Sequence, residues 1–252
     1  MLFLFGLTVV IEMEQEETWR ALRRQFSQWP ELADHDGSPD LSIKVFSHGA
    51  EYRVFSRTEF MARATNIRSL MYSVQCLLDE FVVSHVTGLA ALHAGAWVRN
   101  GSGILLPGQS YAGKSVMVNE LVRDGWTYYS DEYALIDNGG NVHAYPRMIF
   151  LRSESGEPMP VHVDGRVGGP PASVRLVLEL EYLDHADWRV GQIGQSESFM
   201  RLLKSTPQSV ASDPQIFGPL LKLTKSSTYY AGVRGEAVQA LPQVSELFTS
   251  LG

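Results

Sequence analysis

Residues 108–115 read GQSYAGKS and match the pattern G-x-x-x-x-G-K-[ST] through Gly108, Gly113, Lys114 and Ser115. Two glycines let the backbone curl so that several N–H groups point at one anion. A lysine at the exit of such a turn reaches the outer phosphates of a nucleotide, and the next hydroxyl can bind Mg²⁺. The stretch therefore predicts a phosphate-binding loop. Its residues are Gly108, Gln109, Ser110, Tyr111, Ala112, Gly113, Lys114 and Ser115.

The flanking residues fit this interpretation, because such a loop joins a strand to a helix. Residues 104–106 (ILL) form a short apolar run that Pro107 closes, as at the end of a buried strand. Residues 116–123 (VMVNELVR) have the apolar spacing of a helix, which Gly125 would end. Residues 126–129 (WTYY) then predict another strand.

The composition is that of an ordinary soluble globular chain, with 252 residues, of which 44% are hydrophobic and 19% charged. This length suits one large domain, or one domain with a smaller one. The net charge of −7 argues against a nucleic-acid partner, since phosphate backbones favour a basic surface. The single cysteine, Cys76, lies in an apolar helical stretch and is expected in the core. One cysteine forms no disulfide framework, so we expect a reducing, cytoplasmic location.

The chain begins with an apolar run of eleven residues, MLFLFGLTVVI. It is too short for a transmembrane helix, and it lacks the basic flank and small-residue cleavage site of a signal peptide. We therefore expect a β-strand here and no membrane partner.

The order of strand and helix patterns predicts an α/β protein with two regions. Residues 1–90 form a small N-terminal α/β region with a long connecting helix, and residues 91–252 form the P-loop domain. The predicted elements of the first region are strand Leu7–Met13, helix Glu16–Trp29, loop Pro30–Pro39, hairpin strands Leu41–Phe46 and Glu51–Phe55, and helix 66–90. Those of the second region, after the loop, are strand Ala172–Tyr182, a proline-interrupted helical stretch 196–226, strand Ser227–Val233 and helix Glu236–Leu251.

His93 precedes the phosphate-binding loop on a predicted hairpin. Asn100-Gly101 between two apolar runs is a strong signal for a two-residue turn. With that turn, the numbers of paired residues add up to 201, so His93 lies opposite Gly108. The sequence thus predicts an imidazole at the mouth of the phosphate site, the alternative being a buried histidine bonded to the backbone.

Two acids, Asp131 and Glu132, follow the strand after the helix. A parallel βαβ unit brings the carboxyl ends of its strands to one edge of the sheet, so these acids should lie beside the phosphates. A kinase needs one carboxylate to hold Mg²⁺ and can use a second to accept the proton of a hydroxyl. The alternative is a solvated turn. No N-K-x-D segment follows, which argues against a GTPase switch.

Together, LHAGAWV and GILLPGQSYAGKSVMVNELVRDGWTYYSDEYALID resemble the catalytic core of HPr kinase/phosphorylase and its relatives. Among these relatives are kinases that modify precursor peptides in some bacterial biosynthetic clusters. The resemblance covers about residues 92–150, and more loosely the strand 173–182 and the segment YYAGVRGEAVQAL. It implies a P-loop-containing mixed sheet of the HPr kinase/phosphoenolpyruvate carboxykinase type, with ATP and Mg²⁺ as cofactors.

The resemblance also implies roles for individual residues. His93 matches the histidine that supports the catalytic base, and Asp131 matches the base that acts on the acceptor hydroxyl. Lys114 and Ser115 match the loop lysine and the metal-binding hydroxyl. Glu132 stands where a second aspartate would coordinate the metal.

The chain departs from the family pattern at three points. Tyr111 replaces a small residue of the loop, and Glu132 replaces an aspartate. No E-[IV]-R-G-x-G-I segment is found, which argues against HPr as the substrate and against the reverse phosphorylase reaction. Arg147 and Arg152 are each as compatible with a phosphate or substrate contact as with a solvated side chain.

The function expected from the sequence is an ATP- and Mg²⁺-dependent kinase that phosphorylates a hydroxyl, foremost a serine of a peptide or protein. Two alternatives stay open: a kinase of a small hydroxylated metabolite, and a non-catalytic nucleotide-binding regulator. A pure regulator would need no pair of Asp131 and His93. The sequence determines neither the acceptor nor the oligomeric state, so a homo-oligomer also stays open.

Overall fold

A computed structural model describes residues 1–27, 29, 37–49, 51–108, 114–153, 156–163 and 165–251. For Lys114, Ser115, Val118, Asn119 and Arg152 it describes the backbone alone. Most of the predicted phosphate-binding loop, residues 109–113, and most of the expected loop Pro30–Pro39, residues 30–36, lie outside the described residues.

The described chain is α/β with mixed sheets, which confirms the expected class. In chain order the elements are β1 (Leu2–Leu4), β2 (Leu7–Met13), α1 (Glu16–Gln25), β3 (Leu41–His48), β4 (Glu51–Ser56), β5 (Glu59–Ala64), α2 (Ile67–His85), β6 (Leu89–Arg99), β7 (Ser102–Pro107), α3 (Lys114–Arg123), β8 (Thr127–Ser130), β9 (Tyr133–Asp137), β10 (Asn141–His143), β11 (Ile149–Arg152), β12 (Pro158–Val161), β13 (Ala172–Tyr182), β14 (Arg189–Gln192), α4 (Gln195–Lys204), a 3₁₀ turn (Pro214–Ile216), α5 (Phe217–Ser226), β15 (Thr228–Arg234) and α6 (Ala237–Ser250).

The chain folds into two compact units. The first comprises residues 1–86 and 147–162, and the second comprises residues 87–146 and 163–252. The boundary expected from the sequence, at residue 90, differs in one main respect: the segment 147–162 returns to the first unit.

The first unit contains a five-stranded sheet in the order β1-β2-β3-β4-β5, in which only β2 and β3 run parallel. Alternate residues of its strands face the core, as the period of a half-buried strand requires. The core side chains on β2, β3 and β4 are Val9, Leu41, Ile43, Val45 and Val54. α2 packs on β4 and β5, and it also contacts α1 and β12.

The long helix of the first unit is shorter than expected. Asn66 caps α2, because its side chain accepts a hydrogen bond of 2.9 Å from the Ser69 backbone N–H. The helix ends at His85, since Gly88 has a positive φ of 74° and β6 begins at Leu89. Cys76 is exposed, so the expectation of a core thiol was wrong.

The second unit contains an eight-stranded mixed sheet in the order β10-β9-β6-β7-β13-β15-β14, with β8 also paired to β6. The central strands β7, β13 and β15 are parallel, and β6 is antiparallel to β7, β8 and β9. One face of β6 packs under α4 and α5, through a core that includes Leu92, Ala96, Leu202 and Leu220. α3 also packs on β6 and contacts α6.

Within the part of the chain that the structure describes, no helix has the length and apolar character to cross a membrane.

Candidate active site

The hairpin of β6 and β7 has the register that the sequence predicts. Arg99 pairs with Ser102 and Ala94 pairs with Pro107, so the numbers in each pair add up to 201. Asn100 and Gly101 have positive φ angles of 52° and 75°, as a two-residue type I′ turn requires. The turn prediction is confirmed.

This register places His93 level with the first glycine of the loop. The Gly108 backbone N–H donates a hydrogen bond of 3.3 Å to the His93 carbonyl. Residues 108–113 then separate the end of β7 at Pro107 from the start of α3 at Lys114. A strand, a six-residue connection and a helix therefore follow one another as the phosphate-loop motif requires, although the loop's own conformation lies outside the described residues.

The two acids also lie along β6. Ser130 pairs with Ala96 and Tyr133 pairs with His93, and these pairs share one register. β8 and β9 therefore pair with the same side of β6. Asp131 and Glu132 form the bend between these two strands. The Ala94 N–H donates to the Glu132 carbonyl at 3.1 Å, which holds this bend against β6.

The carboxyl ends of β7 and β8 lie at one edge of the sheet, because both strands run antiparallel to β6 on its two sides. The expectation that the acids and the loop meet at one edge therefore agrees with the strand directions. The arrangement differs from the simple βαβ unit in one respect: β6 lies between the two strands.

The two acids differ in their exposure to solvent. Asp131 is buried at 2% exposure, next to the fully buried Ser130. Glu132 is half-buried, with 29% of its side chain exposed. Of the two carboxylates, that of Glu132 is the more exposed to solvent.

His93 lies beside Glu132. Its Nδ1 is 3.5 Å from Glu132 Oε1, and its side chain is 35% exposed. Its ring lies 4.7 Å from the ring of Tyr133, at an interplanar angle of 39°. The resemblance implies that His93 supports a base at Asp131. In the structure, the carboxylate beside His93 is that of Glu132.

Metal ligands are fewer than a closed metal site would need. Among the described side chains, no group of three or more histidine, cysteine, aspartate or glutamate residues could hold a metal ion. Mg²⁺ bound with a nucleotide commonly takes one or two carboxylates, with phosphates and water completing its shell. Asp131 and Glu132 fit that smaller requirement, while the Ser115 hydroxyl lies outside the described side chains.

Arg147 is not the solvated side chain that one of the two interpretations of the sequence proposed. It is 6% exposed and belongs to the first unit, where its Nη2 lies 2.8 Å from Asp79 Oδ2. Its Nε donates to the same oxygen at 3.0 Å. Arg147 therefore forms a buried ion pair and is not a solvated side chain. The side chain of Arg152 is not among the described side chains.

Tyr182 and Arg234, at the carboxyl ends of the parallel strands β13 and β15, were not predicted from the sequence as site residues. Arg234 ends β15, is 2% exposed, and has its guanidinium 5.4 Å from the ring centre of Tyr182 at the end of β13. Burial lowers the pKa of Arg234. β13 and β15 are parallel to β7, so both residues lie at the edge where ligands of open α/β sheets commonly bind. A basic residue ending a predicted strand was the available signal.

Tyr133 was also missed, although it lies directly opposite His93. No turn fixes the register between β6 and β9 in the sequence, because 33 residues separate Leu89–Arg99 from Tyr133–Asp137. Its position could be found only once the sheet had been assembled.

No protein-family model and no curated protein matches the chain. Among solved structures, it is similar to the HPr(Ser) kinase/phosphatase from Coxiella burnetii, with 13% sequence identity. The match covers 64% of this chain and 93% of that chain, with a TM-score of 0.34. A likeness this distant assigns no role to any residue, so the roles discussed below rest on the motif and on the described side chains.

Proposed function

We propose that this protein is a cytoplasmic ATP- and Mg²⁺-dependent kinase that transfers the γ-phosphate to a hydroxyl, with a serine of a peptide or protein as the acceptor. The observation that carries the proposal is the position of the half-buried His93–Glu132 pair. Through the 3.3 Å hydrogen bond from Gly108 to His93, that pair lies level with the first glycine of the phosphate-loop motif.

Nucleotide binding would use the loop and the start of α3. The first N–H groups of a helix lack partners within the helix and favour an anion, so the start of α3 can take part in holding phosphate. Lys114 would neutralise the outer phosphates. Ser115 and one of the two acids would hold Mg²⁺, which when bound neutralises charge on the transferred group.

The proton of the acceptor hydroxyl needs a base within hydrogen-bonding reach. Glu132 is open to solvent and lies beside an imidazole, while Asp131 is buried. We therefore assign the base to Glu132, with His93 orienting it, and assign the metal to Asp131. This order is the reverse of the one that the resemblance implies.

The nucleotide site is tested by calorimetry of the full chain with ATP, with and without Mg²⁺. Lys114→Ala should weaken Mg-ATP binding by about 10- to 100-fold, since it removes a charge-assisted contact to phosphate. Lys225→Ala, at an exposed position on α5, is the matched control and should bind as wild type does. Unchanged ATP affinity in a folded Lys114→Ala variant would contradict the proposal.

The transfer step is tested separately with radiolabelled ATP. Serine-containing peptides and small hydroxylated metabolites should be offered in parallel, and label should appear on the peptides. Label on metabolites alone would favour the metabolite kinase, and ATP binding with no transfer to either class would favour the regulator.

A further inference from the structure

The outer face of the sheet in the first unit exposes an aromatic row. Phe46, Phe55 and Phe60 come from the adjacent strands β3, β4 and β5. Their rings meet edge to face, with centroids 5.6 Å and 5.7 Å apart. Phe46 is 40% exposed and Phe60 55%, so the row is open to solvent. Cross-strand aromatic pairs stabilise a sheet, but that role does not require two of the three rings to be exposed.

The same face carries an uneven set of charges. Arg53 and Arg63 lie directly opposite each other on β4 and β5, an arrangement that is unfavourable for like charges. Glu51 uses both carboxylate oxygens on Arg63, with Nε at 2.6 Å from Oε2. Arg53 is exposed and is attracted to the same Glu51, so two guanidinium groups share one carboxylate. The face therefore has a cation in surplus, within a chain whose net charge is −7.

Two of the three rings and the charged side chains line one open cavity of about 510 Å³. Its lining residues are His48, Glu51, Arg53, Phe55, Phe60 and Arg63. A ligand in this cavity would meet two aromatic rings and an arginine that shares its only assigned carboxylate partner with Arg63 among the described residues. This combination suits a carboxylate next to an apolar group.

The edge of the sheet at this face is also open among the described strands. β5 is last in the strand order and pairs only with β4. An unpaired edge can add an extended polypeptide through main-chain hydrogen bonds, while neighbouring side chains select its sequence. The cavity therefore lies beside an edge that favours a chain over a small ion.

Two other occupants fit less well. In a symmetric dimer the same patch lies on both partners, so one surplus of positive charge would face another. A nucleic acid could stack bases on the rings, but a chain of net charge −7 opposes a polyanion. A segment with a few carboxylates needs only the local surplus.

We propose that this face binds an extended acidic polypeptide segment, with a carboxylate against Arg53 and an apolar side chain against Phe55 and Phe60. The inference that this segment belongs to the phosphate acceptor rests on the proposed kinase function. The face would then select the acceptor by a docking contact distinct from the residues that act on the hydroxyl.

The test measures the fluorescence anisotropy of a fluorescein-labelled octapeptide of alternating glutamate and phenylalanine, titrated with the full chain. Arg53→Gln and Phe60→Ser should each weaken its binding by about tenfold, the size expected for a charge-assisted hydrogen bond or a buried ring. Arg68→Gln, at an exposed arginine of α2, and Leu221→Ser, at an exposed leucine of α5, are the matched controls and should bind as wild type does.

Competitors separate the sources of binding. An unlabelled glutamine–phenylalanine peptide, a glutamate–serine peptide and inorganic phosphate should each compete poorly, because each lacks one half of the ligand. The proposal is overturned by an absence of saturable binding up to about 1 mM, by binding as tight as that of wild type in Arg53→Gln or Phe60→Ser, or by full displacement with phosphate or an oligonucleotide.

The docking proposal and the kinase proposal fail in different ways. Peptide binding is measured without ATP, so Lys114→Ala should retain it while losing Mg-ATP affinity. If the wild-type chain binds ATP but not the peptide, the docking face alone is overturned. An absence of ATP binding overturns the kinase and leaves a peptide-binding face whose ligand is not an acceptor.

Discussion

At the scale of single residues, the proposed kinase mechanism depends on which of two neighbouring acids would reach the acceptor. Asp131 and Glu132 are adjacent in sequence, but the first is 2% exposed and the side chain of the second is 29% exposed. Both residues lie in the bend between β8 and β9, where consecutive side chains diverge. One carboxylate can therefore stay within the sheet while the next lies beside His93.

We expect Glu132→Gln to lower phosphate transfer by about a hundredfold or more, because an amide accepts no proton at neutral pH. ATP affinity should stay close to wild type. Asp131→Asn should instead weaken the Mg²⁺ dependence of ATP binding. Single-turnover transfer and calorimetry on the same variants measure both effects. The opposite result would be loss of transfer in Asp131→Asn with normal Mg-ATP binding, and full transfer in Glu132→Gln. It would make Asp131 the base and Glu132 the metal ligand, as the resemblance implies.

His93 should act through Glu132, so the two substitutions should not add. His93→Ala should lower the transfer rate by less than Glu132→Gln, and the double variant should equal Glu132→Gln alone. His143→Ala is the matched control, because His143 also lies beside a carboxylate, with its Nε2 3.0 Å from Asp137. Additive effects in the double variant would make His93 a structural residue.

The phosphate-loop motif could be read from the sequence because its residues are consecutive. Other single positions could not. Cys76 lies two residues from both Val74 and Leu78, which are buried, and so about 200° around α2 from each. Arg147 pairs with a partner 68 residues earlier, a contact that no local pattern reports.

At the scale of elements, local signals determined what could be predicted. The Asn100-Gly101 turn fixed the β6–β7 register because a two-residue turn allows only one pairing. Strand β13 was predicted with its observed bounds from simple alternation. β5 was missed because EFMARA shows no clear alternation, and three of its residues before Ala62 are exposed. The position of β6 between β7 and β8 depends on pairings that are distant in sequence.

The turn between β9 and β10 offers a test of element stability. Asp137 accepts hydrogen bonds from the backbone N–H groups of Gly139 at 2.7 Å and Asn141 at 2.9 Å, and it contacts His143. Burial raises the pKa of Asp137, but the hydrogen bonds from Asn141, His143 and Gly139 outweigh it and hold the pKa below its ordinary value of 3.8. A lowered folded pKa stabilises the protein above the unfolded pKa, and that contribution is lost as the pH falls through the folded value.

Asp137→Asn should therefore reduce the free energy of unfolding by about 1–2 kcal/mol at pH 7, since it removes charge-assisted acceptors from the turn. The difference from wild type should shrink as the pH falls below 3.8. Urea denaturation at neutral and acidic pH measures this difference in the free energy of unfolding. Asp187→Asn, at an exposed position, is the control. A difference that stays constant with pH would show that the ionised form is not what stabilises the turn.

At the scale of the whole molecule, the chain passes between its two units three times, after residues 86, 146 and 162. The sequence suggested a single passage near residue 90. The segment 147–162 returns to the first unit with Arg147, and its partner Asp79 also accepts a hydrogen bond of 2.8 Å from Gln75. Gln25 donates to Gln75 at 2.9 Å, so a chain of buried polar groups links α1, α2 and the returning segment.

This network gives a prediction that separates structure from catalysis. Arg147→Met should lower the free energy of unfolding by about 3–5 kcal/mol, because it leaves the Asp79 carboxylate buried without its cation. Adding Asp79→Asn should recover part of that loss, since the amide is neutral and can still accept from Gln75. Exposed Arg24→Met is the control in the same unit. Urea denaturation measures stability, and calorimetry on the folded variant measures Mg-ATP affinity, which should be unchanged. A folded, stable Arg147→Met with weakened ATP binding would instead make this arginine a phosphate contact.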